Sequence, residues 1–157
     1  MCRRPERKAE RGSTLLLFPA ALLIMVALAA MTVDNAIAFL AQRELVNATA
    51  AAANDAATEA VSDSRFYEDN RIELSATAVE SIARDRVYAV IDTARHHGLT
   101  VSAEAVPPAG AGCPWTVRVA ASSHVDELFG RAMPGSGGTR AVAAHSSAAP
   151  RQTATGC

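Results

Sequence analysis

Residues 15–33 read LLLFPAALLIMVALAAMTV, an uninterrupted run of nineteen side chains without a charge. An apolar helix of about 20 residues matches the roughly 30 Å hydrocarbon core of a bilayer. Within lipid, a single segment can satisfy its own backbone polar groups only as a helix. The run therefore predicts one membrane-spanning helix, to which we assign residues 13–34, and the rest of the chain is organised around it.

The charges that flank this run predict its orientation. Of the 15 basic and 16 acidic side chains, five basic and two acidic ones lie within residues 1–11, so the remainder carries a net charge of -4. Lys and Arg resist translocation, and a basic leader at residues 1–12 therefore predicts a cytoplasmic N-terminus and an extracytoplasmic C-terminal domain on the cell membrane. The run is long for a removed signal sequence, which favours an anchor. The mildly acidic remainder gives no reason to expect nucleic-acid binding.

The sequence beyond the run favours further helix. Neither glycine nor proline, the two strongest breakers of regular structure, occurs from residue 20 to residue 97. We predict that the first helix continues as a stalk over residues 35–61, with Ile37, Leu40, Leu45 and Ala48 on its packing face. The helix would be about 70 Å long at 1.5 Å per residue. A polar break follows at residues 62–70.

A second, amphipathic helix is predicted over residues 74–97. Its N-terminus has two candidates, a capping box of Thr77 with Glu80 and a competing N-cap at Ser75. His96 and His97 fall in its last turn and Gly98 in the position that stops a helix. Helical spacing predicts one buried face, formed by Val79, Ile82, Val87, Val90, Ile91 and Ala94.

Alternation of apolar and polar side chains after residue 98 predicts strands over residues 99–105 and 115–121, with a weak third strand over residues 139–145. Residues 125–133 fit either a short helical turn or a strand extension. The predicted fold class is α+β: a long transmembrane helix with a stalk, and a second helix packed on a small antiparallel sheet of two or three strands. The exported domain would cover residues 62–149, followed by a flexible tail at residues 150–157.

The residues that carry chemistry predict neither an enzyme nor a cofactor or metal site. His124, Asp126 and Ser122 or Ser123 are close in sequence, but a nucleophilic triad is defined by geometry that local proximity does not supply. No Cys or His spacing is typical of a metal site. Cys113 and Cys157 fall on the extracytoplasmic side, where disulfides persist. They could pair with each other or link two chains, or Cys157 could remain free.

A short basic leader that ends in Gly12, directly before Ser13 and the apolar run, is the arrangement of a prepilin-like cleavage site. Removal of the charged leader would let the apolar helix leave the bilayer and pack with other helices. Residues 11–57 resemble the TadE/TadG-like proteins of the Flp (Tad) pilus system, in the form common in high-GC Gram-positive (actinobacterial) bacteria. The resemblance rests on Arg11-Gly12-Ser13, Pro19, Asp34, Gln42-Arg43-Glu44-Leu45 and the alanine-rich stretch at residues 51–57.

This resemblance implies a non-enzymatic minor pilin or pseudopilin of pilus assembly or a related secretion system. The implied partners are the lipid bilayer, other pilin-like subunits, Tad assembly proteins and a prepilin peptidase that cuts between Gly12 and Ser13. Many such pilins carry glutamate five residues after the cut, where this chain has Leu17. The alternative is an uncleaved, membrane-anchored extracytoplasmic binding module.

Overall fold

A computed structural model describes residues 13–62, 73–110, 113–132 and 137–150. Two helices pack on one face of a three-stranded antiparallel sheet of order β1-β2-β3. This arrangement confirms the predicted α+β fold class. The elements in chain order are α1 (Ser13–Glu59), α2 (Ala76–Val90), β1 (His97–Val106), β2 (Thr116–Asp126), a short 3-10 helix (Gly130–Ala132) and β3 (Thr139–Ala148).

Helix α1 is one uninterrupted element of 47 residues, with Pro19 near its beginning. Its second half, predicted as a stalk with a packing face, packs in the core of the folded unit. Leu45 is buried there, whereas Leu40, which was predicted on the same face, is 61% exposed. Most other buried positions of this half hold alanine, whose single methyl group lets α2 and the sheet approach closely: Ala38, Ala41, Ala48, Ala52, Ala53, Ala56 and Ala57. The predicted domain boundaries stay predictions.

Helix α1 runs alongside β3 in the same direction. Three side-chain contacts join the two elements in sequence order: Asn35 with Arg140, Gln42 with the carbonyl of Ala143, and Thr49 with Ser146. The spacing of these contacts fits, because 14 helical residues and six strand residues both span about 20 Å. The helix and the sheet are therefore tied along their shared length.

Helix α2 begins after Ser75, whose hydroxyl accepts a hydrogen bond from the amide of Ala78. Of the two predicted caps, Ser75 is the observed one and Thr77 lies inside the helix. The predicted buried face is partly wrong, since Val90 is 61% exposed. The helical residues that are buried follow i, i+4 spacing: Val79, Ala83 and Val87.

The predicted end of α2 is wrong. The helix ends at Val90, and the backbone carbonyl of Asp92 then accepts the amide of His96 in a turn. His96 and His97 therefore do not lie in a last helical turn, and His97 is the first residue of β1. Gly98 does not stop the helix either: it lies in β1 with φ of +62°, next to an irregularity in the pairing of that strand.

The strands have the predicted alternation but extend further. Strand β2 alternates buried and less buried residues along its length and continues to Asp126, so the sequence after residue 124 first extends the strand and then forms the short 3-10 helix. Strand β3 continues to Ala148. The buried side chains of β2 lie on the face of the sheet against which α1 packs: Val117, Val119, Ala121, Ser123 and Val125.

Candidate functional site

The first half of α1 is an exposed apolar surface. Contiguous apolar patches of this size are rare on soluble monomers and mark contact with lipid or with another protein. By length and composition, α1 is the one helix among the described residues that could cross a membrane. Ten large apolar side chains between residues 17 and 33 are at least 41% exposed: Leu17, Phe18, Leu22, Leu23, Ile24, Met25, Val26, Leu28, Met31 and Val33.

Asp34 ends this apolar surface and holds the loop that joins β2 to β3. Its carboxylate is only 6% exposed and accepts hydrogen bonds from three consecutive backbone amides. Oδ1 lies 2.8 Å from the nitrogen of Leu128 and 3.2 Å from that of Phe129. Oδ2 lies 3.2 Å from the nitrogen of Phe129 and 2.9 Å from that of Gly130. We call this arrangement the Asp34 clasp.

The clasp explains how a carboxylate is accommodated at the boundary of the apolar run. Asp34 directly follows the last residue of the uncharged run, Val33. The structure provides backbone amides as its partners, and hydrogen bonds from an amide to a carboxylate are among the stronger ones in proteins. Gly130 fits the turn tightly, because an added Cβ would lie 2.0 Å from a carboxylate oxygen of Glu127.

The turn held by the clasp exposes two apolar side chains at the end of the folded unit next to the apolar half of α1. Leu128 is 66% exposed and Phe129 is 43% exposed. Leu128 also lines a groove of about 400 Å³ that includes Ile37 and Leu40 of α1. This site was missed by sequence reasoning, although the pair Leu128-Phe129 between polar neighbours was visible as a signal.

The charged side chains around the clasp are paired. Arg131 Nη2 lies 2.7 Å from a carboxylate oxygen of Asp126. Arg140 donates to the side-chain oxygen of Asn35 at 2.7 Å and lies 3.8 Å from the carboxylate of Glu127. Close pairing leaves this end of the molecule without a strong charge of one sign.

A second polar cluster lies in the core between α1 and the sheet. His96 Nδ1 is 2.8 Å from Ser123 Oγ, and His96 Nε2 is 3.6 Å from Glu44 Oε2. His96 and Ser123 are each 1% exposed, so no substrate can reach the serine hydroxyl in this conformation. The carboxylate of Glu44, the imidazole of His96 and the hydroxyl of Ser123 lie in the order of a catalytic triad. Because the cluster is buried, it is a polar contact within the core that joins α1 to β2.

The structure separates the residues that lie together in sequence at positions 122–126. Successive residues of a strand point to opposite faces of the sheet. Ser123 points into the core and His124 is exposed on the other face. The histidine that contacts Ser123 is instead His96, 27 positions earlier, which no local pattern indicated.

The remaining predicted site residues lie mainly outside the described ranges. Gly12 lies outside them, and Ser13 is the first residue of α1. Cys113 is disulfide-bonded, but Cys157 lies outside the described residues, so their pairing stays a prediction. Among the residues that the structure describes, no group of His, Cys, Asp or Glu could hold a metal ion.

Comparison of the chain with protein-family models, with curated proteins and with solved structures found no match in any of the three.

Proposed function

We propose that the chain is a single-pass membrane protein with its N-terminus in the cytoplasm and its α+β unit outside the cell membrane. Two features support this topology. Residues 17–33 offer an apolar surface along one helix, and five basic residues precede it. Cytoplasmic flanks of membrane helices are enriched in Lys and Arg.

Within this topology, we propose a non-enzymatic role as a minor pilin or pseudopilin in Flp (Tad) pilus assembly or a related secretion system. The resemblance of residues 11–57 to TadE/TadG-like proteins supports this role. The observation that carries this proposal is the difference between the two halves of α1. The first half is exposed and apolar, and the second half is part of the folded core. In such a subunit the first half of α1 contacts lipid before assembly and pilin-like neighbours afterwards. Tad assembly proteins are further partners.

Small residues favour this exchange of lipid for protein contacts. Alanine side chains recur within the apolar segment, at Ala20, Ala21, Ala27, Ala29 and Ala30. Helix association in membranes depends on close packing of small residues rather than on the hydrophobic effect. The same surface therefore suits both environments.

The test is the natural N-terminus of the protein in its native cell, measured by mass spectrometry. A mature chain that begins at Ser13 supports cleavage by a prepilin peptidase. Gly12→Ala should then abolish the cleavage, whereas the control Ala9→Ser, in the same leader, should leave it intact. A wild-type chain that retains residues 1–12 would contradict the role of a processed pilin.

Leu17 favours a second candidate function, an uncleaved membrane-anchored binding module on the outer surface. Many related pilins carry glutamate at the position of Leu17, where the side chain can pair with a neighbour's new amino terminus. In this second case Gly12→Ala changes nothing, and the chain stays in the membrane fraction when pili are sheared from the cells. Co-purification with sheared filaments would exclude it.

A further inference from the structure

We propose that the turn at residues 128–130 is a second membrane contact, with Leu128 and Phe129 inserted into the outer interfacial layer of the bilayer beside α1. The proposal rests on the proposed membrane span of α1 and goes beyond it, because it assigns a lipid-binding surface to the folded unit itself. The part of the bilayer that this surface would contact is the boundary between headgroups and acyl chains.

The first argument is the level at which the turn is fixed. Asp34 directly follows the uncharged run of nineteen residues, and about 28 Å of helix at 1.5 Å per residue matches the hydrocarbon thickness. Asp34 therefore marks the outer boundary of the hydrocarbon core. Because its carboxylate accepts three amides of the turn, the turn lies at this same boundary.

The second argument is the chemistry that the turn exposes there. Loops between strands usually present polar side chains to water, but here Leu128 and Phe129 are 66% and 43% exposed. The groove that Leu128 lines continues onto Ile37 and Leu40 of α1. Leu40 is itself 61% exposed, so apolar side chains of α1 beyond Asp34 lie beside the turn, although charged side chains, among them Glu44 and Asp126, line the same groove.

The third argument is the charge around the turn, which favours contact with the acyl-chain side of the membrane interface. Arg131 and Arg140 flank the turn, but each is close to an acidic side chain. An electrostatic attachment to anionic headgroups needs basic groups in excess. The contact should therefore depend on the acyl-chain boundary and little on the net charge of the lipids.

The proposal can be tested with tryptophan placed at the turn of the full-length protein in phosphatidylcholine vesicles. Leu128→Trp in a Trp115→Phe background reports on the turn, and Phe129→Trp, which keeps an aromatic ring, is a second reporter in case the first disturbs the fold. Lipids brominated on their acyl chains quench tryptophan only at close range. The control is Val46→Trp, which replaces a side chain that is 41% exposed and lies about 18 Å further along the helix than Asp34.

We expect brominated lipid to remove most of the emission of the reporter at position 128 and little of that at position 46. Replacing part of the phosphatidylcholine with phosphatidylglycerol should not change the result. A reporter in the span itself, Val33→Trp, separates the possible failures. Quenching at position 33 without quenching at positions 128 and 129 would overturn this proposal and leave the membrane span intact.

Two other outcomes are also decisive. Absence of quenching at position 33 as well would overturn both the span and the proposed second contact. Protection of the turn from both brominated lipid and aqueous acrylamide, lost when the protein is diluted into excess lipid, would identify a second copy of the chain as the occupant and would overturn the proposal.

Discussion

Replacing Asp34 with alanine should release the turn at residues 128–130 from α1. The substitution removes the acceptor of three backbone amides, all within 3.2 Å of the carboxylate. A hydrogen bond to a charged group contributes about 1.5–3 kcal/mol to stability. The three amides share one carboxylate and regain water when the turn opens, so we take the value of a single bond, about 2 kcal/mol, as the lower estimate.

Amide hydrogen exchange of the full chain in lipid nanodiscs measures this loss directly. Because 1.4 kcal/mol corresponds to a factor of ten in an equilibrium constant, local opening should become about 30-fold more frequent. The amides of residues 128–130 should exchange faster by this factor. The core of β2 should keep its protection, since none of its backbone pairing involves Asp34.

Two controls isolate the carboxylate. Asp34→Asn keeps the size of the side chain but replaces one acceptor oxygen with a donor, so it should also lose protection. Asn35→Ala removes the neighbouring contact with Arg140 and should leave residues 128–130 unchanged. Equal exchange of these three amides in the wild type and in Asp34→Ala would refute the structural role that we assign to the clasp.

Three further substitutions test the packing of the full chain, the first and the third by thermal or chemical unfolding and the second by amide hydrogen exchange. Ala52→Leu should destabilise the folded unit by about 1–3 kcal/mol, because position 52 is fully buried and overpacking a core costs that much. The exposed neighbour Ala51 should tolerate the same change within about 0.5 kcal/mol. Gly130→Ala should loosen the clasp and speed the exchange of its amides. Gly137→Ala, in the same loop, should not, because an added Cβ there meets nothing within 4 Å. Equal effects of the two substitutions would argue against the tight fit at Gly130. Ser123→Ala should cost about 1–3 kcal/mol, since it leaves a buried imidazole nitrogen without its partner; an unchanged midpoint would mean that this contact is not stabilising.

The periodic parts of the fold were predictable from sequence, and α1 illustrates why. The absence of glycine and proline favoured one long helix, which the structure confirms to Glu59. What the pattern did not reveal is that its second half is a core element. Bulky side chains such as Leu40 suggested the packing face, but the tight helix–sheet contact is formed by alanines, which a search for large apolar residues underrates.

The candidate site was harder to predict because its contacts span long sequence distances. Asp34 stands out in the sequence as the first charge after the apolar run, but its partners lie 94–96 positions later and are backbone amides, which have no residue-type signature. The predicted end of α2 was wrong for a local reason. Asp92 competes for the chain by accepting the amide of Ala94 with its side chain, and such turns outcompete helix even where the apolar pattern continues.

The contacts that tie α1 to β3 have a mechanical consequence. The helix is continuous from Ser13 to Glu59, and the sheet packs along its second half, so the described residues contain no joint between the exposed apolar half of α1 and the folded unit. Membrane helices tilt by about 20° on average, and the 25 residues beyond Asp34 form a lever about 38 Å long. In a bilayer-embedded protein, such a tilt would carry the far end of the sheet sideways by about 13 Å, so the angle of the buried segment determines which surfaces a neighbouring molecule meets.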